Sequence, residues 1–475
     1  MAERLTPDIC VIGAGSGGLS VAAAAAAFGV PVVLIERGSM GGECLNTGFV
    51  PSKALLAAAN RVALMRGGEK FGVSAQNVAV DFTAVRAHVR GVIAALAPAD
   101  STERFTGLGV RVIKGEARFI DRQTVAVSDE FEIRARRFVI ATGSRAAAPP
   151  IPGLDATPFL TNETVFDLTE LPRHLIIIGA GPIGLELAQA FRRLGSEVTV
   201  LEAAQPLAKD DPECAAIVLT QLERDGVIIR DYVAITRVEG KVGDIEVAIG
   251  KGGEEEIVKG SHLLVAAGRM PVLDALHLDA AGIKRDRGGV VAGNNLKTSN
   301  RRVYVIGDAA GRAQFTHAAN YHAGIVIRNA LFRLPAKADN DAIPWVTYTD
   351  PELAQTGLTE AQARERGYAI RVSRWSFHDN DRAQAERDTR GHIKVITTKR
   401  GKILGATIVG AQAGELITTW TLAITQGLNI RAFTGMTIPY PTRSEIGKRA
   451  AIDFFTPSLT SSLLRRIIGF LRVFG

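Results

Sequence analysis

The stretch Ile9-Cys10-Val11-Ile12-Gly13-Ala14-Gly15-Ser16-Gly17-Gly18 joins a short apolar run to three glycines in the spacing G-x-G-x-x-G. Such a run is typical of a buried strand, and the alanine-rich segment from Leu19 to Phe28 is typical of a helix. A second run, Val32 to Ile35, ends in Glu36, which is correctly spaced to accept hydrogen bonds from a ribose. These features predict a dinucleotide-binding unit, with a pyrophosphate at the helix N-terminus. The glycines of the motif are Gly13, Gly15 and Gly18.

The same unit occurs a second time in the chain. Leu175 to Ile178 precedes another G-x-G-x-x-G spacing, and the run Val198 to Leu201 ends in Glu202. An internal repeat of this fingerprint predicts two nucleotide sites, and therefore an α/β fold with two Rossmann-like dinucleotide-binding domains. The glycines of the second motif are Gly179, Gly181 and Gly184.

The composition is typical of a globular enzyme with several domains. A chain of 475 residues is too long for one hydrophobic core and suits three domains. The net charge of +7 is mild and the arginines are scattered, so we predict no nucleic-acid partner; we also predict no metal site. The three cysteines lie far apart, which fits a reducing compartment. With no signal peptide and no apolar run of about eighteen residues, we expect a cytoplasmic protein. The cysteines are Cys10, Cys44 and Cys214.

A third stretch, Gly41-Gly42-Glu43-Cys44-Leu45-Asn46-Thr47-Gly48-Phe49-Val50-Pro51-Ser52-Lys53, is arranged to seat a cysteine pair but contains one cysteine. Cys44 stands at the first position of a C-x-x-x-x-C spacing, and Phe49 stands at the second. Residues five apart on a regular helix rise by about 7.5 Å, beyond the limit of roughly 7 Å between the Cα atoms of a disulfide. A bridge at this spacing therefore needs a distorted first turn, which Gly48 and Pro51 would supply.

This stretch resembles the redox motif of the flavin-dependent pyridine nucleotide-disulfide oxidoreductases, the family that contains dihydrolipoamide dehydrogenase, glutathione reductase and mercuric reductase. The resemblance extends from about Asp8 to about Ala451. It implies a homodimer with bound FAD, an NAD-binding domain and an α+β C-terminal dimerisation domain. The implied domains are residues 1–150 with 271–343 for FAD, 151–270 for the nicotinamide nucleotide, and 344–456 for dimerisation.

The resemblance also assigns residues to the cofactors. In relatives, a lysine and a glutamate matching Lys53 and Glu186 pair beside the flavin; an ordinary salt bridge between helices is the alternative. An aspartate matching Asp308 binds the sugar-alcohol chain of the flavin, although a cap before a helix is the plain alternative. Glu202 favours NADH over NADPH, because a carboxylate accepts the free 2′-hydroxyl and repels a 2′-phosphate; a solvated acid at a strand end is the alternative. The other residues assigned to the cofactors are Ala117, Thr142, Gly143, Gly268 and Ala318.

Two parts of the family's dithiol chemistry are missing from this sequence. Phe49 replaces the flavin-facing thiol, so Cys44, which matches the thiol that attacks the substrate in relatives, lacks its partner. The last helix of relatives carries H-P-T-x-S-E, whose histidine is held by the glutamate and serves as the acid-base group. Here Tyr440 replaces the histidine while Glu445 remains. A phenol with a pKa of about 10 is a poor base at neutral pH.

These replacements predict an NADH-dependent FAD oxidoreductase that passes electrons from reduced flavin directly to a quinone, metal, dye or protein acceptor. Two alternatives stay open at this point. One is a disulfide reductase that works through a mixed disulfide on Cys44. The other is a non-catalytic binding scaffold that retains FAD for stability.

The C-terminal segment 457–475 has a pattern of its own. Between Leu463 and Arg472 the leucines and isoleucines fall on one face at helical spacing, and the arginines fall on the other. This pattern fits a helix that lies on a membrane surface. It fits equally well a helix that packs on its own domain, so the sequence leaves a peripheral membrane contact as one of two interpretations.

Overall fold

Apolar runs that end in glycine loops form the central strands of the fold. The computed structural model describes residues 2–251, 253–459 and 461–474. In this part of the chain the helices are α1 (Ser16–Ala27), α2 (Gly42–Asn46), α3 (Phe49–Arg66), α4 (Phe82–Leu96), α5 (Thr102–Gly107), α6 (Pro182–Leu194), α7 (Pro212–Arg224), α8 (Thr316–Ala330), α9 (Glu360–Glu365), α10 (Asp381–Ala385), α11 (Ala413–Thr425), α12 (Arg431–Gly435), α13 (Glu445–Leu459) and α14 (Ser462–Leu471).

The same described residues also form strands. They are β1 (Glu3–Leu5), β2 (Ile9–Ile12), β3 (Val32–Glu36), β4 (Arg111–Lys114), β5 (Ala117–Phe119), β6 (Thr124–Val127), β7 (Phe131–Arg134), β8 (Arg137–Ile140), β9 (Ser144–Ala146), β10 (His174–Ile178), β11 (Glu197–Leu201), β12 (Ile228–Arg230), β13 (Ala234–Lys241), β14 (Asp244–Lys251), β15 (Glu254–Gly260), β16 (His262–Val265), β17 (Arg269–Pro271), β18 (Val303–Val305), β19 (Trp345–Thr347), β20 (Glu352–Gly357), β21 (Ile370–Ser376), β22 (His392–Thr398) and β23 (Ile403–Gly410).

The chain divides into two compact units. The first unit contains Met1–Gly179, Ala190–Leu201 and Val233–Asn340. Its main sheet has five parallel strands in the order β18-β8-β2-β3-β4. All four residues of β2 are buried, because a parallel strand covered on both faces needs a continuous apolar run rather than an alternating one.

A second parallel arrangement in the same unit repeats the first. Strand β10 pairs in parallel with β11 on one side and with β16 on the other. Its residues Leu175, Ile176 and Ile177 are fully buried, as those of β2 are. The repeat that the sequence predicts is therefore present in the fold, and the predicted α/β class with two dinucleotide-binding arrangements is confirmed.

Three smaller sheets complete the first unit. Strands β1, β7, β6 and β5 form one sheet, β13, β14 and β15 form an antiparallel meander, and β17 pairs antiparallel with β9. The last pairing joins Arg269 to Ala146 and Pro271 to Ser144. It thus brings the residues that follow Gly268 next to those that follow Gly143.

The second unit contains Ala180–Gln189, Glu202–Tyr232 and Asp341–Gly475. Its antiparallel sheet has the order β19-β20-β23-β22-β21. All residues of β23 are buried, and the rings of Trp420 and Phe433 stack at 4.0 Å between centroids in the core beside the sheet.

The start of the first helix differs from the predicted one. Helix α1 begins at Ser16 rather than Leu19, because Ser16, Gly17 and Gly18 mask the apolar spacing that locates a helix in a sequence. None of the described helices has both the length and the hydropathy that crossing a membrane requires.

Candidate active site

The first glycine loop is built so that only glycine fits at two of its positions. Gly13 has a φ of +105°, and a Cβ added to it would lie 2.4 Å from the carbonyl oxygen of Ala141. A Cβ on Gly18 would lie 1.9 Å from the carbonyl oxygen of Gly13. The loop therefore needs glycine for a tight turn and for close packing of helix α1.

The N-terminus of α1 is open to a ligand. Gly15 is its N-cap and supplies no side-chain hydrogen bond, and a Cβ added to Gly15 would meet nothing within 4 Å. Nearby, the hydroxyl oxygen of Thr142 is buried and has no hydrogen-bond partner among the described residues. Free helical N–H groups and an unused hydroxyl are the groups that bind a phosphate.

The acids at the two strand ends hold their glycine loops in the same way. Glu36 accepts hydrogen bonds from the backbone N–H groups of Ala14 and Gly38, both at 2.6 Å. Glu202 accepts from those of Ala180 at 2.7 Å and Ala204 at 3.0 Å. Each carboxylate oxygen can accept a further bond from a ribose hydroxyl. Glu36 is the last residue of β3 and Glu202 directly follows β11, and their contacts with a ribose stay predictions.

The second glycine loop has the same local geometry. Gly179 has a φ of +109°, and a Cβ on it would lie 2.5 Å from the carbonyl oxygen of Ala266. A Cβ on Gly181 would meet nothing within 4 Å, as at Gly15. Gly184 lies in the first turn of α6 and is buried.

A break between two helices shapes the lone-cysteine stretch. Cys44 lies on α2 and Phe49 begins α3, with Thr47 and Gly48 between the two helices. The side chain of Asn46 donates to the carbonyl oxygens of Met40 at 3.0 Å and Gly42 at 2.7 Å. These two hydrogen bonds hold α2, and the helix is interrupted at Thr47 and Gly48 before α3 begins. The distortion expected at Gly48 is therefore present.

The environment of Cys44 disfavours its thiolate. Burial raises the pKa of the Cys44 thiol, and the nearby carboxylates of Asp100 and Glu43 raise it further. A hydrogen bond with Thr316 and the charge of Lys53 lower the pKa, but less than burial raises it. These surroundings therefore favour the neutral thiol over the thiolate. The other two cysteines, Cys10 and Cys214, are fully buried, and all three are unbridged.

Phe49 presents its ring to the predicted active-site lysine. The Nζ atom of Lys53 lies 5.0 Å from the centroid of the Phe49 ring, a distance at which a cation and an aromatic face attract each other. The Phe49 side chain is 37% exposed, so its ring is open on one side. An apolar, accessible aromatic surface thus occupies the second position of the cysteine spacing.

A polar network that the sequence did not reveal begins one residue before Cys44. Glu43 forms an ion pair with Arg269 and accepts a hydrogen bond from Asn162 at 2.7 Å. Arg269 Nε donates to the hydroxyl of Ser144 at 2.8 Å, and that hydroxyl donates to Asp308 at 2.5 Å. Burial raises the pKa of Glu43, against the lowering effect of Arg269. The network links the lone-cysteine stretch to Asp308.

Asp308 does not act as the helix cap that its position allows. It lies inside the short 3-10 helix Gly307–Ala310, whereas the N-cap of α8 is Phe315. Ala318 is on α8 and is fully buried. Ala117 starts β5 and is buried, Gly143 has a φ of +69°, and Gly268 has a φ of +131°. The structure thus gives local positions for all five of these residues, and their cofactor roles stay predictions.

Glu186 is a buried acid on α6. It is 4% exposed and accepts a hydrogen bond from the backbone N–H of Tyr348 at 2.9 Å. Its pairing with Lys53 beside a flavin stays a prediction.

Tyr440 and Glu445 are placed differently from the expected helical pair. Only Glu445 lies on a helix, because α13 begins there, and Tyr440 precedes it in a loop. The Tyr440 side chain is 71% exposed and its hydroxyl donates to Asp381 at 2.7 Å. This bond raises the pKa of Tyr440. Glu445 pairs with Arg449 at 3.6 Å. The raised pKa means that Tyr440 loses its proton less readily than a free phenol does.

Known proteins are similar to this chain along nearly its whole length. A family model described as pyridine nucleotide-disulphide oxidoreductase matches residues 7–323, and the model of its dimerisation domain matches residues 343–451. Mercuric reductase from Streptomyces lividans is 37% identical over 456 residues, which cover 94% of this chain and 96% of that protein. Dihydrolipoyl dehydrogenase from Bacillus subtilis is 35% identical over 452 residues, which cover 94% of this chain and 95% of that protein.

A solved structure is similar over the same extent. It is that of the HOCl-induced flavoprotein disulfide reductase RclA from Escherichia coli, with a TM-score of 0.82 and 29% sequence identity. The match covers 96% of this chain and 100% of the other.

Proposed function

Because this chain belongs to the pyridine nucleotide-disulphide oxidoreductase family, we propose that it is an NADH-dependent FAD flavoprotein whose electrons reach the acceptor without a protein disulfide. Members of the family are oxidoreductases that use FAD and NAD(P)H. The observation that carries the proposal is the single thiol of the redox stretch: Cys44 is present, and Phe49 stands where a second thiol would stand.

The residues of the first glycine loop fit FAD. The open N-terminus of α1 at Gly15 would hold its pyrophosphate, and Glu36 would hold its ribose. The buried hydroxyl of Thr142 lacks a partner among the described residues, and Asp308 would bind the sugar-alcohol chain. When bound, FAD supplies the redox chemistry by taking two electrons from the nicotinamide and giving them to the acceptor.

Charged side chains of the protein would set the electrostatics of the flavin site. Lys53 carries a positive charge at the start of α3 and is held over the Phe49 ring. Glu186 is proposed to join it beside the flavin. Together they would tune the charge of the flavin site and exclude water from it. Glu43 and Arg269 would hold the lone-cysteine stretch in place while electrons leave.

The acceptor is proposed to be a quinone, metal, dye or protein that meets the flavin directly. Phe49 and Tyr440 are apolar or weakly acidic aromatic side chains at the two positions that carry the thiol and the histidine in relatives. Both are partly or largely exposed. Aromatic surfaces favour planar apolar acceptors over disulfides, because rings stack and a disulfide needs an attacking thiolate.

Two other functions have less support. A disulfide reductase that works through a mixed disulfide on Cys44 needs a thiolate, and the pKa of Cys44 is raised. A non-catalytic scaffold would not need a second dinucleotide loop with an open helix N-terminus and an acid at its strand end. The match to the dimerisation domain supports a homodimer. We place this dimer in the cytoplasm, with a peripheral membrane contact through residues 457–475.

Steady-state oxidation of NADH separates the three functions. We expect rapid turnover with a water-soluble quinone and turnover with lipoamide that is lower by at least about a hundredfold, because no group assists the thiol and proton steps. Faster turnover with lipoamide than with quinone would establish the disulfide reductase. No turnover with a quinone, a dye, a metal ion or lipoamide would leave only the scaffold.

The choice of nicotinamide nucleotide is tested at Glu202. Replacing Glu202 by alanine should raise the KM for NADH by about tenfold and leave that for NADPH unchanged or lower, because a ribose hydroxyl loses a charged acceptor. Glu197→Ala, on the same strand β11 but exposed, is the matched control and should change neither constant. If wild-type protein used NADPH faster than NADH at equal concentration, Glu202 would not be a ribose ligand.

A further inference from the structure

The C-terminal helix α14 exposes an apolar surface that nothing in the described chain covers. It spans Ser462–Leu471, and none of its residues is buried. Leu463 is 68% exposed, Phe470 64% and Leu471 57%. Large apolar side chains at such exposure are costly in water when they lie together. Ser461 caps the N-terminus of α14, because its hydroxyl accepts a hydrogen bond from the backbone N–H of Leu464 at 3.2 Å.

The apolar side chains of α14 share one face. With 3.6 residues per turn, six of them fall within an arc of about 160°. The arginines and the small residues occupy the rest of the circumference, so α14 has an apolar face and a cationic face. The six apolar residues are Leu463, Leu464, Ile467, Ile468, Phe470 and Leu471.

The charged side chains of α14 and of the residues that follow it are all positive. Arg465, Arg466 and Arg472 are its charged residues, and no acidic residue follows Asp453 in the sequence. An apolar face flanked by arginines complements an anionic lipid surface, where the acyl boundary takes the apolar side chains and the headgroups take the guanidinium groups. A protein groove would have to supply both an apolar floor and acidic walls.

We propose that α14 lies in the surface of an anionic membrane, with its apolar face in the acyl boundary and its arginines at the headgroups. The partner of this surface is thus a lipid bilayer. The consequence for the acceptor rests on the proposed function: an enzyme held there meets lipid-soluble quinones. In that reaction one NADH, one proton and one quinone give one NAD⁺ and one hydroquinone, so two electrons pass and no other reductant is needed.

The membrane contact is tested by sedimentation with vesicles. The holoprotein should sediment with vesicles of phosphatidylglycerol and much less with vesicles of phosphatidylcholine. The double variant Arg465→Glu and Arg466→Glu should bind the anionic vesicles at least about tenfold less tightly, since each positive charge near such a surface adds to binding. A chain truncated after Thr456 should stay in the supernatant.

The matched control reverses the same number of charges elsewhere. Lys399 and Arg400 are exposed in the turn between β22 and β23, and Lys399→Glu with Arg400→Glu should leave vesicle binding unchanged. Equal sedimentation of the full and truncated chains would overturn the proposal. So would a change of oligomeric state on truncation, measured by light scattering without lipid, because a second copy would then cover α14.

The acceptor is tested separately from the contact. With a long-chain quinone dissolved in the anionic vesicles, truncation should slow NADH oxidation by at least about tenfold, following the loss of binding. With a water-soluble quinone, the full and truncated chains should react equally. Vesicle binding without activity on either quinone would contradict the proposed function and leave the membrane contact intact. Activity on the soluble quinone without vesicle binding would support the proposed function and contradict the membrane contact.

Discussion

Replacing Phe49 by cysteine should raise the electron uptake of the protein from two to four per chain in an anaerobic reductive titration. The two helices that carry residues 44 and 49 are separated by Thr47 and Gly48, so the spacing is not that of a regular helix. The new thiol and Cys44 can then oxidise to a disulfide, which takes two electrons when it is reduced. A long-wavelength charge-transfer band between thiolate and flavin should accompany the extra uptake.

The control for this variant has the same small side chain without sulfur. Phe49→Ser should take up two electrons and show no new band, although it removes the same ring. Should Phe49→Cys also stop at two electrons, with both thiols titrating as free, the stretch would lack the geometry of a redox pair. The resemblance in sequence would then not extend to its chemistry.

A single methyl group at Gly15 should remove FAD from the protein. A Cβ there meets nothing within 4 Å and the φ of −76° suits alanine, so Gly15→Ala should fold normally. The added methyl occupies the space where the backbone approaches a pyrophosphate, and FAD retention should fall by at least about tenfold. Absorbance of the purified protein and its far-ultraviolet circular dichroism measure cofactor content and folding separately.

Two further glycines make this prediction specific. Gly91 lies on α4, and a Cβ on it also meets nothing within 4 Å, so Gly91→Ala should retain one FAD per chain. Gly181→Ala should retain FAD and raise the KM for NADH. Full FAD content in Gly15→Ala would show that the N-terminus of α1 does not hold the pyrophosphate.

The sequence predicted the nucleotide-binding arrangements because their signals are local. Four strands that carry the glycine loops and terminal acids were expected within one residue of their observed bounds, as at Ile9–Ile12 and His174–Ile178. A continuous apolar run between turn-forming residues has few structural interpretations. The hydrogen bonds from Glu36 and Glu202 to their loops follow from the same spacing.

The polar contacts of the site could not be predicted, because their partners are far apart in the sequence. Glu43 pairs with Arg269, 226 residues away, and only the placement of a charge within a glycine-rich stretch hints at it. Thr316, whose side chain lowers the pKa of Cys44, carries no signal of its own. Tyr440 donates to Asp381 rather than lying beside Glu445 on a helix. Such contacts depend on tertiary packing, which no local pattern records.

Reductive titration of the unaltered protein tests most directly whether electrons bypass a protein disulfide. With NADH as the titrant under anaerobic conditions, reduction should be complete at one NADH per chain, and no charge-transfer band should form. Cys10, Cys44 and Cys214 are all unbridged, so no thiol pair is available to accept more. Uptake of a second NADH per chain, or a thiolate-to-flavin band during the titration, would contradict this account.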